Sequence, residues 1–418
     1  MRKNTALAAA LFLGLATLPA PAENAALDLP LGDAARREKT VAPALDVVTD
    51  TRTGSAVTPA EVAKGLARAR LVFLGESHTS VEFHRVQLQV LRELARAGRK
   101  VLVGLEMYPV AEQPVLDLWN SGTISEADFV EKSAWYRNWG YHWNYYRDIF
   151  LFCRDAKIPL HGVNVPRELV SDVRKKGFDG LTEEQKALIP PKIDVDSADH
   201  RRLFKAFFEE SDSMHSASMP EAMWDGMFRA QCTWDAAMAW NAVAALKMAN
   251  DPNAVMVVLI GSGHVAYGLG AQRQAALWFD GPSASVVPIP VLDDKDAPVR
   301  VRASYADFVW GVPKETDPAY PVLGLSTRDP KDGSEGWPVI NVEKDSVADA
   351  AGFRVGDVLL SMDGTSLREK GTMNRLMADK RWSDTATYVV KRGDEKVTLV
   401  ARLARRLPAV PKAGGEKK

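Results

Sequence analysis

The chain contains three apolar runs that end at or beside a glycine and lead directly into Glu or His. They occupy residues 71–75, 101–105 and 255–261. A short continuous apolar run of this kind predicts a strand that is buried on both faces. The first run leads into Glu76 and His78, the second into Glu106 and the third into His264. Ligands of open α/β sheets bind outside the carboxyl ends of parallel strands, so the pattern predicts a site at those ends.

The segment between the first two runs predicts a helix. Apolar residues recur at helical spacing over residues 81–95, and Gly98 fits the glycine that commonly follows a helix C-terminus. A strand, a helix and a strand in this order form a right-handed unit with parallel strands. Further strands are predicted at 158–163, 284–289 and 299–303, and mainly helix over 199–250. The predicted fold class is therefore α/β, with a mainly parallel sheet flanked by helices.

The pattern changes to short strands after a charged, proline-containing stretch at residues 312–319, which predicts a linker. Residues 346–364 read SVADAAGFRVGDVLLSMDG, a run that resembles PDZ domains over about residues 320–403. The resemblance implies a small, mostly β module that captures a peptide or protein C-terminus. In such a module the backbone N–H groups of Leu323, Gly324 and Leu325 would receive the carboxylate.

The N-terminus predicts export. Arg2 and Lys3 precede an apolar stretch at 5–18 that is too short to span a bilayer, and Ala-Pro-Ala follows at 20–22. No cysteine suitable for lipidation follows, so we expect a periplasmic or secreted protein. The mature chain has no apolar run of membrane-spanning length. Its net charge of −1 and lack of a basic patch exclude a nucleic-acid-binding class.

These features predict six segments. They are a signal peptide (1–22), an N-terminal lead (23–58), an α/β domain (59–311), the linker (312–319), a PDZ domain (320–405) and a disordered tail (406–418).

The strand-end residues Glu76, His78, Glu106 and His264 suit more than one chemistry. Two imidazoles and two carboxylates can bind a divalent metal ion and leave positions open for water. One carboxylate can instead act as a general base, and a Glu–His pair can activate water without a metal. Spacing along the sequence does not choose between these arrangements.

Two further features leave alternatives open. The dense aromatic run at residues 135–146 can wall a planar apolar ligand such as haem, or pack the core of a helix–loop–helix. Cys153 and Cys232, the only two cysteines, can form a disulfide or remain buried free thiols.

Four short motifs carry a family resemblance. Residues 75–78, 104–107, 164–167 and 261–264 read GESH, GLEM, NVPR and GSGH. Together they resemble the haem-binding ChaN family, whose superfamily includes the Tiki-type metal-dependent proteases and the erythromycin esterases. The resemblance, over about residues 71–289, implies a haem held by a tyrosine and a haem-mediated homodimer. We assign cofactor binding to Tyr108, the tyrosine closest to the site in sequence, and to Asn164 and Arg167.

The expected function is therefore an exported haem- or iron/metal-binding protein in haem or iron handling, with a peptide-binding PDZ module. The alternative is a metal-dependent hydrolase, plausibly a peptidase, in which Glu76, His78 and Glu106 serve catalysis and the PDZ domain captures substrate. A third reading is an adaptor with a silent site. The intact quartet of Glu and His residues argues against it.

Overall fold

The computed structural model describes residues 26–211, 219–330 and 335–405. The predicted signal peptide and the predicted disordered tail lie outside these residues. The described chain divides into two compact units, at residues 26–315 and 316–405. No helix within the described residues is long and apolar enough to cross a membrane.

The first unit is built on an eight-stranded sheet with the order β3-β2-β10-β8-β4-β7-β5-β6. The six strands from β10 to β6 run parallel; at one end of the sheet β2 pairs antiparallel with β10, and β3 pairs antiparallel with β2. This mainly parallel sheet confirms the predicted fold class. The strands of the unit are β1 Thr40–Val41, β2 Val48–Asp50, β3 Ser55–Val57, β4 Leu71–Glu76, β5 Lys100–Pro109, β6 Leu160–Asn164, β7 Ala254–Gly261, β8 Ser283–Pro290, β9 Val301–Arg302 and β10 Phe308–Val312.

The order of the central strands places the site. The sequence suggests that β4 and β5 form a simple strand–helix–strand unit, but β7 lies between them and pairs with both. In the register, Glu76 lies opposite Gly261, and Leu105 lies opposite Leu259. The carboxyl ends of β4, β7 and β5 therefore meet side by side at one edge.

Helices cover the sheet and contribute side chains to that edge. Helix α2 begins after Ser80, whose side chain accepts a hydrogen bond from Phe83 N. Helix α10, the longest among the described residues, buries Trp224, Met227 and Met238 in the core, whereas Met248 at its end is 83% exposed. The helices of the unit are α1 Pro59–Gly65, α2 Val81–Arg96, α3 Gln113–Asn120, α4 Glu126–Lys132, α5 Trp135–Asn138, α6 Arg147–Asp155, α7 Arg167–Lys176, α8 Glu183–Lys186, α9 Ala198–Ser211, α10 Glu221–Met248 and α11 Ala271–Ala275.

Residues 26–58, expected as a lead before the domain, form part of it. Strands β2 and β3 extend the main sheet, and β1 pairs with β9 in a separate two-stranded ribbon. Ala26 and Leu31 are each 1% exposed. Strands of two or three residues carry no apolar run, so the sequence pattern does not show them.

The second unit is an antiparallel sheet with its own hydrophobic core, which includes Phe353, Leu359 and Tyr388. Asp363 and Gly364 both have positive φ and join β13 to β14, as the Asp-Gly pair predicts for a tight hairpin. The elements are β11 Leu325–Thr327, β12 Trp337–Val342, α12 Val347–Ala351, β13 Val358–Met362, β14 Thr365–Ser366, α13 Thr372–Ala378, β15 Thr385–Arg392 and β16 Glu395–Arg402.

Candidate functional site at the carboxyl edge of the sheet

The four strand-end residues lie around Gly261, at the end of β7. Glu106 Oε2 accepts a 2.6 Å hydrogen bond from Gly261 N. A β-carbon at Gly261 would lie 3.2 Å from His78 Cε1 and 3.6 Å from His264 Cδ2. Glu76 joins the group through His78. Three neighbouring strands thus bring together side chains that are up to 188 positions apart in sequence.

Glu76 is buried and both oxygens of its carboxylate accept hydrogen bonds. Oε1 accepts from His78 Nδ1 at 2.8 Å and from Tyr146 OH at 2.5 Å, and Oε2 accepts from Gln87 Nε2 at 2.8 Å. Burial raises the pKa of Glu76, but the bond from His78, the nearby His84 and the bond from Tyr146 outweigh it and hold the pKa at about 2. Glu76 is therefore an ionised carboxylate, and its hydrogen bond from Nδ1 orients the ring of His78.

His78 has one ring nitrogen that is bonded and one that is not. A carboxylate can only accept, so His78 Nδ1 carries the hydrogen of this bond. Within the described residues Nε2 makes no hydrogen bond. The ring centroid lies 4.7 Å from that of Trp139 and 5.0 Å from that of Tyr141. The ring of His78 therefore lies against two aromatic side chains, and one of its nitrogens makes no hydrogen bond within the described residues.

His264 has the opposite character. Its Nδ1 lies 2.6 Å from Asp235 Oδ1 and its Nε2 lies 3.5 Å from Glu106 Oε1. Burial lowers the pKa of His264, but the charges of Asp235 and Glu106 outweigh it and raise the pKa to about 10. With a proton on both ring nitrogens, His264 has no lone pair to offer a metal ion at neutral pH.

Asp235 lies in the middle of α10 and is fully buried. Its Oδ2 lies 3.5 Å from Nε2 of the buried His200. Burial lowers the pKa of His200 to about 4, so this imidazole is neutral while His264 is charged. Gln231, one turn before Asp235, places its side-chain amide 2.9 Å from His264 Nδ1.

The predicted metal-ligand set is not arranged as a metal site. Among the described residues, no three or more His, Cys, Asp or Glu side chains are grouped to hold a metal ion. The bonding explains this: both oxygens of Glu76 accept hydrogen bonds, Glu106 accepts from Gly261, and His264 is a cation. Within the described residues, His78 Nε2 is the one side-chain nitrogen or oxygen of the quartet that makes no hydrogen bond or ion pair.

Tyr108 lies away from this cluster. It is fully buried, and its hydroxyl donates to Ser133 Oγ at 2.8 Å. Its ring packs against Phe129 and Trp135. Burial raises its pKa above the ordinary value, so its hydroxyl stays protonated in the aromatic core. Sequence proximity to Glu106 therefore does not bring Tyr108 to the strand-end group.

Asn164 and Arg167 border the site. Asn164 Nδ2 donates to the backbone carbonyl of Glu106 at 2.7 Å, and its Oδ1 accepts from Val165 N. This side chain therefore ties the end of β6 to β5. Arg167 is exposed at the start of α7, and its positive charge partly opposes the burial that raises the pKa of Tyr141.

Some residues of the aromatic run at 135–146 pack in the core, and others contact the strand-end residues. Trp135 and Trp143 pack with Phe150 in the core, whereas Trp139 and Tyr141 contact His78. Tyr146 completes the second group through its bond to Glu76. Cys153 and Cys232 are buried free thiols and form no disulfide.

Sequence reasoning missed Tyr146, Gln87 and Asp235. Asp235 carried a usable signal, because it is an acidic residue inside an apolar run rich in Met and Trp. Gln87 likewise lies, with His84, on the mainly apolar buried face of α2. Tyr146 could not be separated by pattern from the seven other aromatic or imidazole residues of its run.

The second unit orients the loop predicted to receive a carboxylate. Leu323 O accepts from Ala348 N at 2.7 Å, and Gly324 O accepts from Glu343 N at 2.8 Å. A trans peptide group directs its C=O and N–H to opposite sides. The N–H groups of Gly324 and Leu325 therefore point away from the start of α12.

Comparison with known proteins agrees with both units. The profile of the family described as haem-binding uptake, Tiki superfamily, ChaN matches residues 62–274, and a PDZ-domain profile matches residues 321–403. A Campylobacter jejuni ChaN structure, described by its cofacial heme binding, covers 63% of this chain and 95% of its own. It has 18% identity and a TM-score of 0.50.

Two other similarities are partial. The HtrA-type protease AlgW with a decapeptide is 24% identical, covers 21% of this chain and 30% of its own, and has a TM-score of 0.20. Protein RETICULATA-RELATED 5, chloroplastic, from Arabidopsis thaliana is 25% identical over 133 residues, or 30% of this chain. The chain spans 18% of that relative's length. Since the family profile covers just over half of the residues, the chain belongs to the ChaN haem-binding uptake family of the Tiki superfamily, and it carries a C-terminal PDZ domain.

Proposed function

We propose that the α/β domain binds haem at the carboxyl edge of the sheet and that His78 Nε2 binds the iron. The observation that carries the proposal is the state of His78. Its Nδ1 lies 2.8 Å from Glu76 Oε1, its Nε2 makes no hydrogen bond within the described residues, and its ring lies against Trp139 and Tyr141.

The donor chemistry of this site fits haem. Haem iron accepts a neutral imidazole, and metal-binding histidines commonly donate their other N–H to a carboxylate. Aromatic side chains suit the flat apolar macrocycle. The buried negative charges of Glu76 and Glu106 favour a cationic iron beside His78. When bound, haem would supply an iron centre able to change oxidation state.

The family resemblance implied a tyrosine ligand, but Tyr108 and Tyr146 fit this role less well than His78 does. The hydroxyl of Tyr108 is bonded to Ser133, and that of Tyr146 is bonded to Glu76. Either hydroxyl would have to break a buried hydrogen bond before it could reach iron. His78 needs no such rearrangement of its bonds.

The wider role we propose is haem or iron handling outside the cytoplasm. Support comes from the signal-like sequence of residues 1–22 and from membership in a haem-binding uptake family. A homodimer that shares haem belongs to the same proposal. Size-exclusion chromatography with light scattering, with and without haemin, tests it. A monomer in both states would contradict the homodimer.

The PDZ domain is proposed to capture the C-terminus of a peptide or protein. The support is the direction of the Gly324 and Leu325 N–H groups, which point away from α12. The carbonyl groups of the same two peptide bonds accept hydrogen bonds from Ala348 N and Glu343 N on the opposite side. An extended peptide would add its main chain to the sheet edge at β11, and side-chain pockets would set its sequence preference.

A second candidate, hydrolysis, is favoured by one observation. A histidine whose Nδ1 is bound to a carboxylate is also the arrangement of a general base that activates water. Glu76 and His78 have this arrangement. The metal-dependent version of this activity lacks a grouped ligand set within the described residues.

Haemin titration of the full chain, with metal analysis of the purified protein, tests the main proposal. We expect stoichiometric haemin binding with a Soret band of imidazole-ligated iron, and loss of that band in His78→Ala. Tyr108→Phe is the matched control and should keep the wild-type spectrum. If His78→Ala binds haemin with an unchanged spectrum, His78 is not the ligand. If the wild-type protein takes up no haemin but contains stoichiometric zinc and cleaves peptides, the hydrolase is correct.

A further inference from the structure

We propose that Asp235 is a positioning residue. It holds His264 in place, and His264 in turn fixes the positions of Glu106 and Gly261 next to His78. The inference rests on the proposed function, because it takes His78 as the side chain that binds the ligand. No motif pointed to Asp235, and its role follows from contacts made by four separate elements.

Asp235 is a buried carboxylate in α10. A carboxylate inside a packed helix is costly unless it is paired and hydrogen-bonded. Asp235 is 0% exposed, and its close partner is His264 Nδ1, at 2.6 Å. The pair therefore joins the middle of α10 to the loop that follows β7.

His264 is connected to the site through Glu106 and Gly261. His264 Nε2 lies 3.5 Å from Glu106 Oε1, and the other oxygen of Glu106 accepts from Gly261 N at 2.6 Å. A β-carbon on Gly261 would lie 3.6 Å from His78 Nε2, so the backbone of Gly261 borders the atom that receives the ligand. A shift of His264 would thus reach His78 through Glu106 and Gly261.

Two histidines, His264 and His200, face different carboxylate oxygens of Asp235. His200 approaches the other carboxylate oxygen, Oδ2, at 3.5 Å. Its Nδ1 faces the guanidinium of Arg273, which pairs with Asp194. His200 therefore serves as a matched control: it is a buried imidazole on the same carboxylate, but among the described residues its ring contacts Arg273 and not Glu106.

The experiment uses the full-length protein in two states. Without haemin, Asp235→Asn should abolish the NMR signal of the strongly hydrogen-bonded His264 ring N–H. It should also speed hydrogen exchange at Gly261 N about tenfold or more. With haemin, the dissociation rate should rise about tenfold, within the range typical of lost support around a metal ligand, while the Soret maximum stays at its wild-type position. His200→Gln should leave the Gly261 exchange rate and the haemin dissociation rate within about twofold of wild type.

A double-variant cycle tests the route through His264. Asp235→Asn should have no added effect on haemin dissociation in a His264→Gln background. The proposal is overturned if Asp235→Asn leaves Gly261 exchange and haemin dissociation unchanged, or if its effect persists in full without His264. If Asp235→Asn fails to fold, Asp235→Glu, which keeps the charge on a longer side chain, gives the same two readouts.

The two proposals fail in different ways. If the wild-type protein binds no haemin, the proposed function fails, whereas the His264 signal and Gly261 exchange still judge Asp235. If haemin binds through His78 but Asp235→Asn changes nothing, only the positioning role fails.

Discussion

Tyr146 donates a 2.5 Å hydrogen bond to Glu76 Oε1, the same oxygen that receives His78 Nδ1. The two residues lie 70 positions apart, one in the aromatic run and one at the end of β4. The bond connects the aromatic segment to the Glu–His pair. Tyr146 therefore fixes the carboxylate that orients His78.

Tyr146→Phe should lower the free energy of unfolding by about 1.5–3 kcal/mol, the scale of a hydrogen bond to a charged group. It should also raise the pKa of Glu76, because one of the donors that stabilise the ionised form is lost. Urea unfolding at pH 7 measures the first effect. Tyr388→Phe, in the PDZ domain, is the control, since that hydroxyl donates to the Met377 sulfur, a weak acceptor. An unchanged unfolding midpoint for Tyr146→Phe would contradict the assigned bond.

Glu76→Gln should show a stability loss that depends on pH. The pKa of Glu76 falls from 4.5 to about 2 on folding. Its ionisation therefore contributes stability above pH 4.5, and this contribution is lost as the pH falls through 2. The advantage of wild type over Glu76→Gln should shrink by an amount on the order of 3 kcal/mol between pH 5 and pH 2. Urea titrations across this range give the gap, and a gap that stays constant would rule out the depressed pKa.

Gly261→Ala should weaken haemin binding about tenfold and leave the fold intact. The new β-carbon would lie 3.2 Å from His78 Cε1, so the ring must shift by a few tenths of an ångström. Gly263→Ala is the matched control in the same motif, because its β-carbon would meet nothing within 4 Å. Equilibrium titration of both variants makes the comparison. Equal affinities would mean that His78 does not need the space over Gly261.

Tyr267→Phe should loosen the first described residues. The Tyr267 hydroxyl donates to Ala26 O at 2.8 Å and accepts from Leu29 N at 3.0 Å. Losing both bonds should cost about 1–3 kcal/mol, because two backbone groups lose a partner. Hydrogen exchange over residues 26–33 should accelerate more than exchange in β4. Equal protection of this segment in the variant and the wild type would show that the hydroxyl does not hold it.

The isolated PDZ domain should prefer a free peptide C-terminus. Amidation of a bound peptide removes the charge that the Gly324 and Leu325 N–H groups receive. Binding should weaken by about 1.5–3 kcal/mol. Residues 316–405 form a compact unit with their own core, so this part can be titrated alone with a C-terminal peptide library. If free and amidated peptides bind equally, the carboxylate is not what the loop recognises.

Local pattern determined a large part of this protein. The apolar runs that lead into Glu76, Glu106 and His264 predicted buried strands, because continuous apolar sequence of that length must be covered on both faces. The run at residues 346–364 likewise predicted the PDZ domain, whose turns depend on glycines at fixed positions. Both signals lie within short stretches of chain.

Only the tertiary structure decided what the site residues do. Inserting β7 between β4 and β5 brings His264 beside Glu106, and α10 then adds Asp235 from a third direction. His78 and His264 end similar Gly-x-x-His motifs, yet their surroundings differ. The partner of His78 is Glu76 in its own motif, whereas the carboxylates that raise the pKa of His264, Asp235 and Glu106, come from distant parts of the chain. No pattern within the His264 motif contains that information, because electrostatic partners are set by distance in space and not by spacing in sequence.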